Sequence, residues 1–273
     1  MTGKHLGYSA EEKQTSPYTA FFNPQLEPLQ RQVVEGLQAG GQAHELFPTI
    51  EHAPSLLQPG YWPVETGYAR TPDMGIRVFC LTHMPDVAPE MWDWWFGWHG
   101  CEAQRYKLWH PKAHIDAKWA DGRSDEQYIG RTSLITEYLG SERKNAAITF
   151  LPPAKMGLDE SRLLAQREVA ICARVGMPHT PLKAGYLLHH LRPTEDGCEM
   201  RSRMWFGGNN ASIGDRPNAV SRGVLAALRP ATKFLLPNPA ELLVHNAQEM
   251  AHLAGFLPQL YEAFGPASKK AAA

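Results

Sequence analysis

The chain has 273 residues and a formal net charge of −1, with 43% hydrophobic and 20% charged residues. This is an ordinary globular composition, long enough to bury a full core in one or two domains. The near-neutral charge excludes the basic footprint of a nucleic-acid binder or of a protein drawn to an anionic membrane. No apolar run approaches the ~18 residues of a membrane span, and residues 1–20 lack a signal-peptide core. The four cysteines (Cys80, Cys101, Cys172, Cys198) have no CxxC spacing and read as reduced, buried thiols of a cytoplasmic protein.

Residues 1–70 are weakly patterned and rich in Pro, Gly and Gln, which predicts an N-terminal arm or small subdomain. One short helix is expected over Pro28–Leu37, and Pro54, Pro59 and Pro63 mark extended turns. Ile76–Thr82 reads as a strand. Pro89–Trp98 reads as a helix with proline in its first turn, its aromatic residues nearly encircling the axis. In His110-Pro-Lys-Ala-His114 the proline can begin a helix, and both histidines could then point one way. Arg131–Tyr138, Ala146–Leu151 and Val169–Val175 look like further strands.

The clearest local signal is a hairpin. Ala184–Arg192 and Glu199–Phe206 flank Pro193-Thr-Glu-Asp-Gly197, and Asp-Gly between alternating runs is a strong turn signature. Alternation puts Met200, Ser202, Met204 and Phe206 on one face and Arg201 and Arg203 on the other. Leu187, His189 and Leu191 share a face of the first strand. A long helix is expected from Pro239 to Phe264, with Asn238 as N-cap and Glu241 completing a capping box. The last residues, 266–273, are expected to fray. An antiparallel sheet ending in one long helix predicts an α+β, helix-grip architecture over residues 71–265, the sheet curling round the helix and leaving a cavity.

His245 and Glu249 lie one helical turn apart, so an imidazole nitrogen and a carboxylate can reach a common point. Such a pair is often only a solvated helix face, but here it borders an apolar stripe, where a carboxylate needs a strong partner. His110 and His114 offer a second half-site, and spacing alone does not choose between them. Glu137 sits in Leu134–Leu139, a segment apolar enough to bury it. Converging neutral nitrogens and anionic oxygens are what a divalent metal needs. Tyr106 and His189 are candidates for proton chemistry, although a histidine among apolar neighbours is more often a satisfied core residue. His99 and His190 read as structural. HExxH, GxSxG, P-loop and GxGxxG motifs are absent, which argues against the enzyme classes they mark.

Four segments in matching order across about residues 70–260 carry a family likeness. They are Trp94–His99, Arg105–His114, Asp196–Trp205 and the helix of His245 and Glu249. Together they resemble the 2,4-diacetylphloroglucinol hydrolase and phloretin hydrolase family. The resemblance implies a helix-grip (Bet v 1-like) catalytic domain with an N-terminal extension and a zinc ion held by two His and two Glu. Carried over by motif, these are His114, Glu137, His245 and Glu249. His114 is taken over His110 because the family's active-site tyrosine precedes its first ligand by eight residues, as Tyr106 precedes His114. A family histidine important for catalysis falls on His189. Some relatives have a second active-site tyrosine where this chain has Met204, so Met204 is expected to contact substrate and alter its selection.

The implied reaction is hydrolysis of the carbon–carbon bond joining a polyhydroxylated ring to an acyl group, with a small aromatic ketone as substrate. Two rivals stand beside it: a hydrolase of a non-aromatic 1,3-diketone, and a non-catalytic helix-grip carrier of an aromatic ligand. No nucleic-acid or membrane partner is expected, and the oligomeric state is open, a homodimer being one expectation.

Overall fold

The structure, a computed structural model, describes residues 5–215, 218–232 and 236–268. The frayed tail expected at 266–273 therefore lies mostly outside the described residues. Two short helices, α1 (Ala10–Thr15) and α2 (Arg31–Gln38), and 3₁₀ turns that include Ile50–Leu57 precede the sheet. Pro54 lies inside that last turn and does not mark an extended one. The remaining elements are β1 (Gly67–Arg70), β2 (Gly75–Pro85), α3 (Pro89–Trp98), α4 (Ala103–Trp109), β3 (His114–Trp119), β4 (Thr132–Leu139) and β5 (Glu142–Leu151). Then follow α5 (Glu160–Gln166), β6 (Val169–Gly176), β7 (Leu182–Pro193), β8 (Gly197–Gly207), β9 (Ser212–Ile213), α6 (Ala219–Thr232), α7 (Pro239–Ala254) and α8 (Leu257–Phe264). Among the described residues nine strands make one antiparallel sheet in the order β1-β2-β8-β7-β6-β5-β4-β3, with β9 paired to β7. This is the helix-grip arrangement: a curved antiparallel sheet with a C-terminal helix against one face.

Period-two alternation sorts the sheet's side chains into two buried layers. Ile76, Val78 and Cys80 of β2, with Met204 and Phe206 of β8, pack with Leu242, Leu243 and Ala247 of α7. Further along the same face, Ile171, Ala173, Leu191 and Met200 join the tryptophans of α3. That helix buries Trp92, Trp94, Trp95, Phe96 and Trp98, as an aromatic girdle round its axis requires. Gly97 is forced by close approach, since a Cβ there would sit 2.0 Å from the Glu126 carbonyl oxygen.

The opposite face is covered too. Phe79, Ala170, Cys172, Leu188 and Trp205 pack against Phe47, Ala53, Leu56 and Leu57 from the N-terminal segment and Met156 and Leu163 from the β5–β6 connection. Arg201 and Arg203 point into this layer and are 1% and 0% exposed. Both pair with Glu65, Arg201 through two bonds of 2.6 and 2.9 Å. A doubly bonded carboxylate is what lets two guanidinium groups be buried there.

The expected long C-terminal helix is two. α7 stops at Ala254 and α8 starts at Leu257. Gly255, in right-handed backbone, is a poor helix former, and Pro258 cannot donate to the Ala254 carbonyl and its ring would clash with that group in a continuous helix. The capping box is also not formed as expected. The Asn238 side chain accepts from the Ala240 N–H at 3.0 Å, and a Cβ built on Gly140 would meet the Glu241 carboxylate. Cys80, Cys172 and Cys198 are free and buried, while Cys101 is free but only half-buried.

Candidate active site

α4 ends at His110 because the residue before a proline is pushed out of the helical region. His110 has φ −143° and ψ 87°. No helix starts at Pro111. Instead the His110 carbonyl accepts from both the Ala113 and His114 N–H groups, at 3.1 and 2.8 Å, in a tight turn. That turn delivers His114 to the first position of β3, paired in register with Glu137 on β4. His245 and Glu249 meet them from α7.

His114 Nε2 lies 3.4 Å from Glu249 Oε2 and 3.6 Å from Glu137 Oε2, and His245 Nε2 lies 3.7 Å from both oxygens. The donor atoms of His114, His245 and Glu249 all fall within 4.8 Å of one another. Nitrogen and oxygen donors about 2.0–2.2 Å from a tetrahedral ion stand about 3.3–3.6 Å apart, so the spacing fits one small divalent cation.

Protonation makes the same point. His114 Nδ1 donates to the Tyr106 carbonyl oxygen at 2.9 Å. Its Nε2 therefore carries a lone pair, and that atom is buried without a hydrogen-bond partner. A lone pair aimed at two carboxylate oxygens is repulsive unless a proton on one of them or a metal cation lies between them. Burial holds the His114 imidazole down to about 4, against the opposing pull of Glu137, so the ligand-competent neutral form prevails at neutral pH. Burial also pushes Glu249 up to about 8; His245 opposes this and Glu137 adds to it. Asn246 steadies that carboxylate by donating to Oε1 at 3.2 Å.

His110 stays outside this set. Its ring stacks on His245 at 4.9 Å, and burial next to His114 and His245 lowers it to about 2. Tyr106 lies over the cluster, its hydroxyl donating to Glu137 Oε2. Burial and the Glu137 charge both push that phenol well above its usual value.

Glu137, His245 and Glu249 of the cluster line a cavity of about 220 Å³ with walls from β4–β8, α4 and α7. Ile135, Ile148, Leu187 and Phe206 make it apolar, and Met204 lines it from β8. His189 faces the same space, its Nδ1 2.8 Å from Ser202 Oγ and its ring burial-shifted down to about 3. His190 points the other way and bonds Glu168 at 2.9 Å. His99, read from sequence as structural, is a cavity-lining residue. Nothing in the sequence marked it beyond its place at the end of the tryptophan run. Asn246 was likewise missed, since no local pattern shows which residue will bond a ligand's free oxygen.

An apolar cavity gripped between a curved sheet and a helix, with a cluster of two imidazoles and two carboxylates reaching into its wall, defines a helix-grip protein with a candidate catalytic centre. Residues 46–262 match the family model described as "DAPG hydrolase PhiG domain". The chain belongs to that family and is a hydrolase. It is 30% identical over 263 residues to 2,4-diacetylphloroglucinol hydrolase of Pseudomonas protegens, covering 91% of this chain and 85% of that one. It is 28% identical over 269 residues to phloretin hydrolase of Eubacterium ramulus, covering 95% and 94%. Among solved structures, major latex-like protein 151 of Panax ginseng matches 67% of this chain and 97% of its own, at 7% identity and a TM-score of 0.38.

Proposed function

We propose that this chain is a zinc-dependent hydrolase that cleaves the carbon–carbon bond between a polyhydroxylated aromatic ring and its acyl group. The products are a carboxylic acid and the deacylated phenol. The observation that carries this reading is the convergence of His114, Glu137, His245 and Glu249 beside an apolar, aromatic-walled cavity that the last three line. Support comes also from relatives whose names give 2,4-diacetylphloroglucinol and phloretin as substrates.

These four residues would hold the ion. When bound, zinc supplies Lewis acidity toward the acyl carbonyl and brings the ionisation of water toward pH ~7. The chain's own groups do the rest. Water adds to the carbonyl carbon, the ring–acyl bond breaks with its electron pair passing to the ring carbon, and that carbon takes a proton. Such a leaving group is tolerable only if ring hydroxyls let the ring be held as its keto tautomer. Tyr106 and His189, which both line the cavity, would bond ring oxygens and manage the proton. The apolar walls hold the ring and exclude bulk water.

The substrate partner is thus a small aromatic ketone. Among the described residues no helix is long and apolar enough to cross a membrane. The free thiols support a cytoplasmic setting for the enzyme. The test is incubation with monoacetylphloroglucinol, 2,4-diacetylphloroglucinol and phloretin in ¹⁸O-water. Deacylated phenol with ¹⁸O in the released acid is expected; absence of cleavage, or acid without label, overturns the hydrolysis.

A further inference from the structure

His99 ends the tryptophan run of α3 and is 3% exposed. Its ring is held by stacking on Trp95 at 5.3 Å and by edge contact with Trp109 at 5.2 Å. Its Nδ1 lies 2.9 Å from the Trp95 carbonyl oxygen. A carbonyl only accepts, so Nδ1 carries the hydrogen and Nε2 the lone pair. Among the described residues Nε2 has no hydrogen-bond partner, and it is not sealed off as His114 Nε2 is. His99 lines the cavity, so an Nε2 that is neither paired nor sealed is free to meet a ligand there.

The surroundings suit a flat ring. Tyr106 lies 5.9 Å from the His99 ring, and Phe96 lies 5.6 Å from both His99 and His189. His99 and His189 thus flank one phenylalanine on the cavity wall. We propose that His99 Nε2 accepts a hydrogen bond from a ring hydroxyl of the aromatic substrate, which makes His99 a specificity-determining residue. An ether or carbonyl oxygen at that point would face a lone pair with a lone pair and be rejected. Burial holds the imidazole down to about 3, so His99 keeps this acceptor character throughout the neutral range.

The inference rests on the aryl-ketone reading of the cavity, and it names which ring substituent the cavity selects. The test compares wild type, His99→Phe and His99→Gln, each with full metal and unchanged melting temperature. Specificity constants are measured for 2,4,6-trihydroxyacetophenone and its 2,4- and 2,6-dihydroxy analogues. His99→Phe should lose on the order of 10- to 100-fold on the triol and far less on at least one analogue that lacks the bonded hydroxyl. His99→Gln, which keeps an acceptor oxygen, should recover part of the loss. Independently, phloroglucinol added to ¹⁵N-histidine-labelled wild type should move the His99 Nε2 resonance upfield. An equal fractional loss on all three ketones, or an unmoved resonance, overturns the assignment. Should wild type cleave none of these ketones, and neither 2,4-diacetylphloroglucinol nor phloretin, the aryl-ketone reading fails, and the phloroglucinol titration still decides for or against the His99 contact.

Discussion

Tyr106 lies flat on His114, the two ring centroids 3.8 Å apart and their planes within 3° of parallel. Its carbonyl oxygen also takes the Nδ1 hydrogen of the same imidazole. One residue therefore fixes the tautomer, the tilt and one face of a proposed ligand, while its hydroxyl reaches Glu137. Partners of this kind orient the groups that bind a metal.

Tyr106→Phe keeps the ring and the carbonyl and removes only the hydroxyl. Zinc content should stay close to wild type while kcat falls on the order of 10²-fold, the scale of a lost positioning or acid–base group. Tyr106→Ala removes the stacking surface as well, and metal affinity should drop about 10-fold or more. Elemental analysis beside kinetics separates the two effects. Equal metal loss in both variants would assign the hydroxyl to structure alone.

The two histidines of the His110–His114 turn should part company. His114→Ala and His245→Ala should each lose most metal, since each removes a donor. His110→Ala removes a ring that stacks on His245 but supplies no donor, so the metal should remain and stability should fall by roughly 1–3 kcal/mol for the vacated space. Loss of zinc from His110→Ala with retention in His114→Ala would reverse the ligand assignment.

In metal-free protein the buried ionisable groups give stability a defined pH dependence. Glu249 is raised from an ordinary value of 4.5 to about 8, so between these values the folded chain binds more protons than the unfolded one. Stability from this group falls as pH rises through that window. His114 and His189 are lowered from 6.5 to about 4 and about 3, so they act at the acid side, where stability falls as pH drops below 6.5. A cation offsets the Glu249 charge and competes with protons for the same donors. The rise in melting temperature on adding zinc should therefore be larger at pH 8 than at pH 5.5. A rise that shrinks with pH would contradict this arrangement of donors.

Glu65 holds Arg201 and Arg203 together beneath the N-terminal segment. Glu65→Ala leaves two buried guanidinium groups unpaired and should cost about 3–5 kcal/mol, read as a lowered urea midpoint. A change under ~1 kcal/mol would mean that water reaches these arginines and that the layer over this face is loose.

Met204 tests substrate selection. It lines the cavity from β8, paired with Leu187, and its thioether is only a weak acceptor. Met204→Tyr should raise the ratio of kcat/KM for tri- over dihydroxylated aryl ketones by about 10-fold or more, because a hydroxyl that bonds a ring oxygen discriminates where an apolar group does not. An unchanged ratio would remove Met204 from substrate contact.

Much of this was legible before any coordinates. Strict alternation puts Ser202 and Met204 on one face of the second hairpin strand and His189 with Leu187 and Leu191 on one face of the first, and helical spacing pairs His245 with Glu249; the register that joins the two faces comes from the structure. Other features depend on distant chain. The split between α7 and α8 needed weight given to Gly255 and Pro258 together, and the apolar stripe ran past both. Pro111 carried two meanings, helix start or pre-proline break, and the φ of His110 shows the second. Alternation puts Arg201 and Arg203 on the other face but does not show what buries them there, because Glu65 lies 136 and 138 residues away in sequence. In sequence His99 is indistinguishable from a core histidine; the structure makes it a cavity-lining residue.

The most direct test of the central claim is zinc stoichiometry measured on the same preparation that is assayed for acylphloroglucinol cleavage, before and after a chelator. The account predicts about one zinc per chain, loss of cleavage in step with metal removal, and recovery on readdition. Metal well below half occupancy, with cleavage undiminished in chelator, would contradict it.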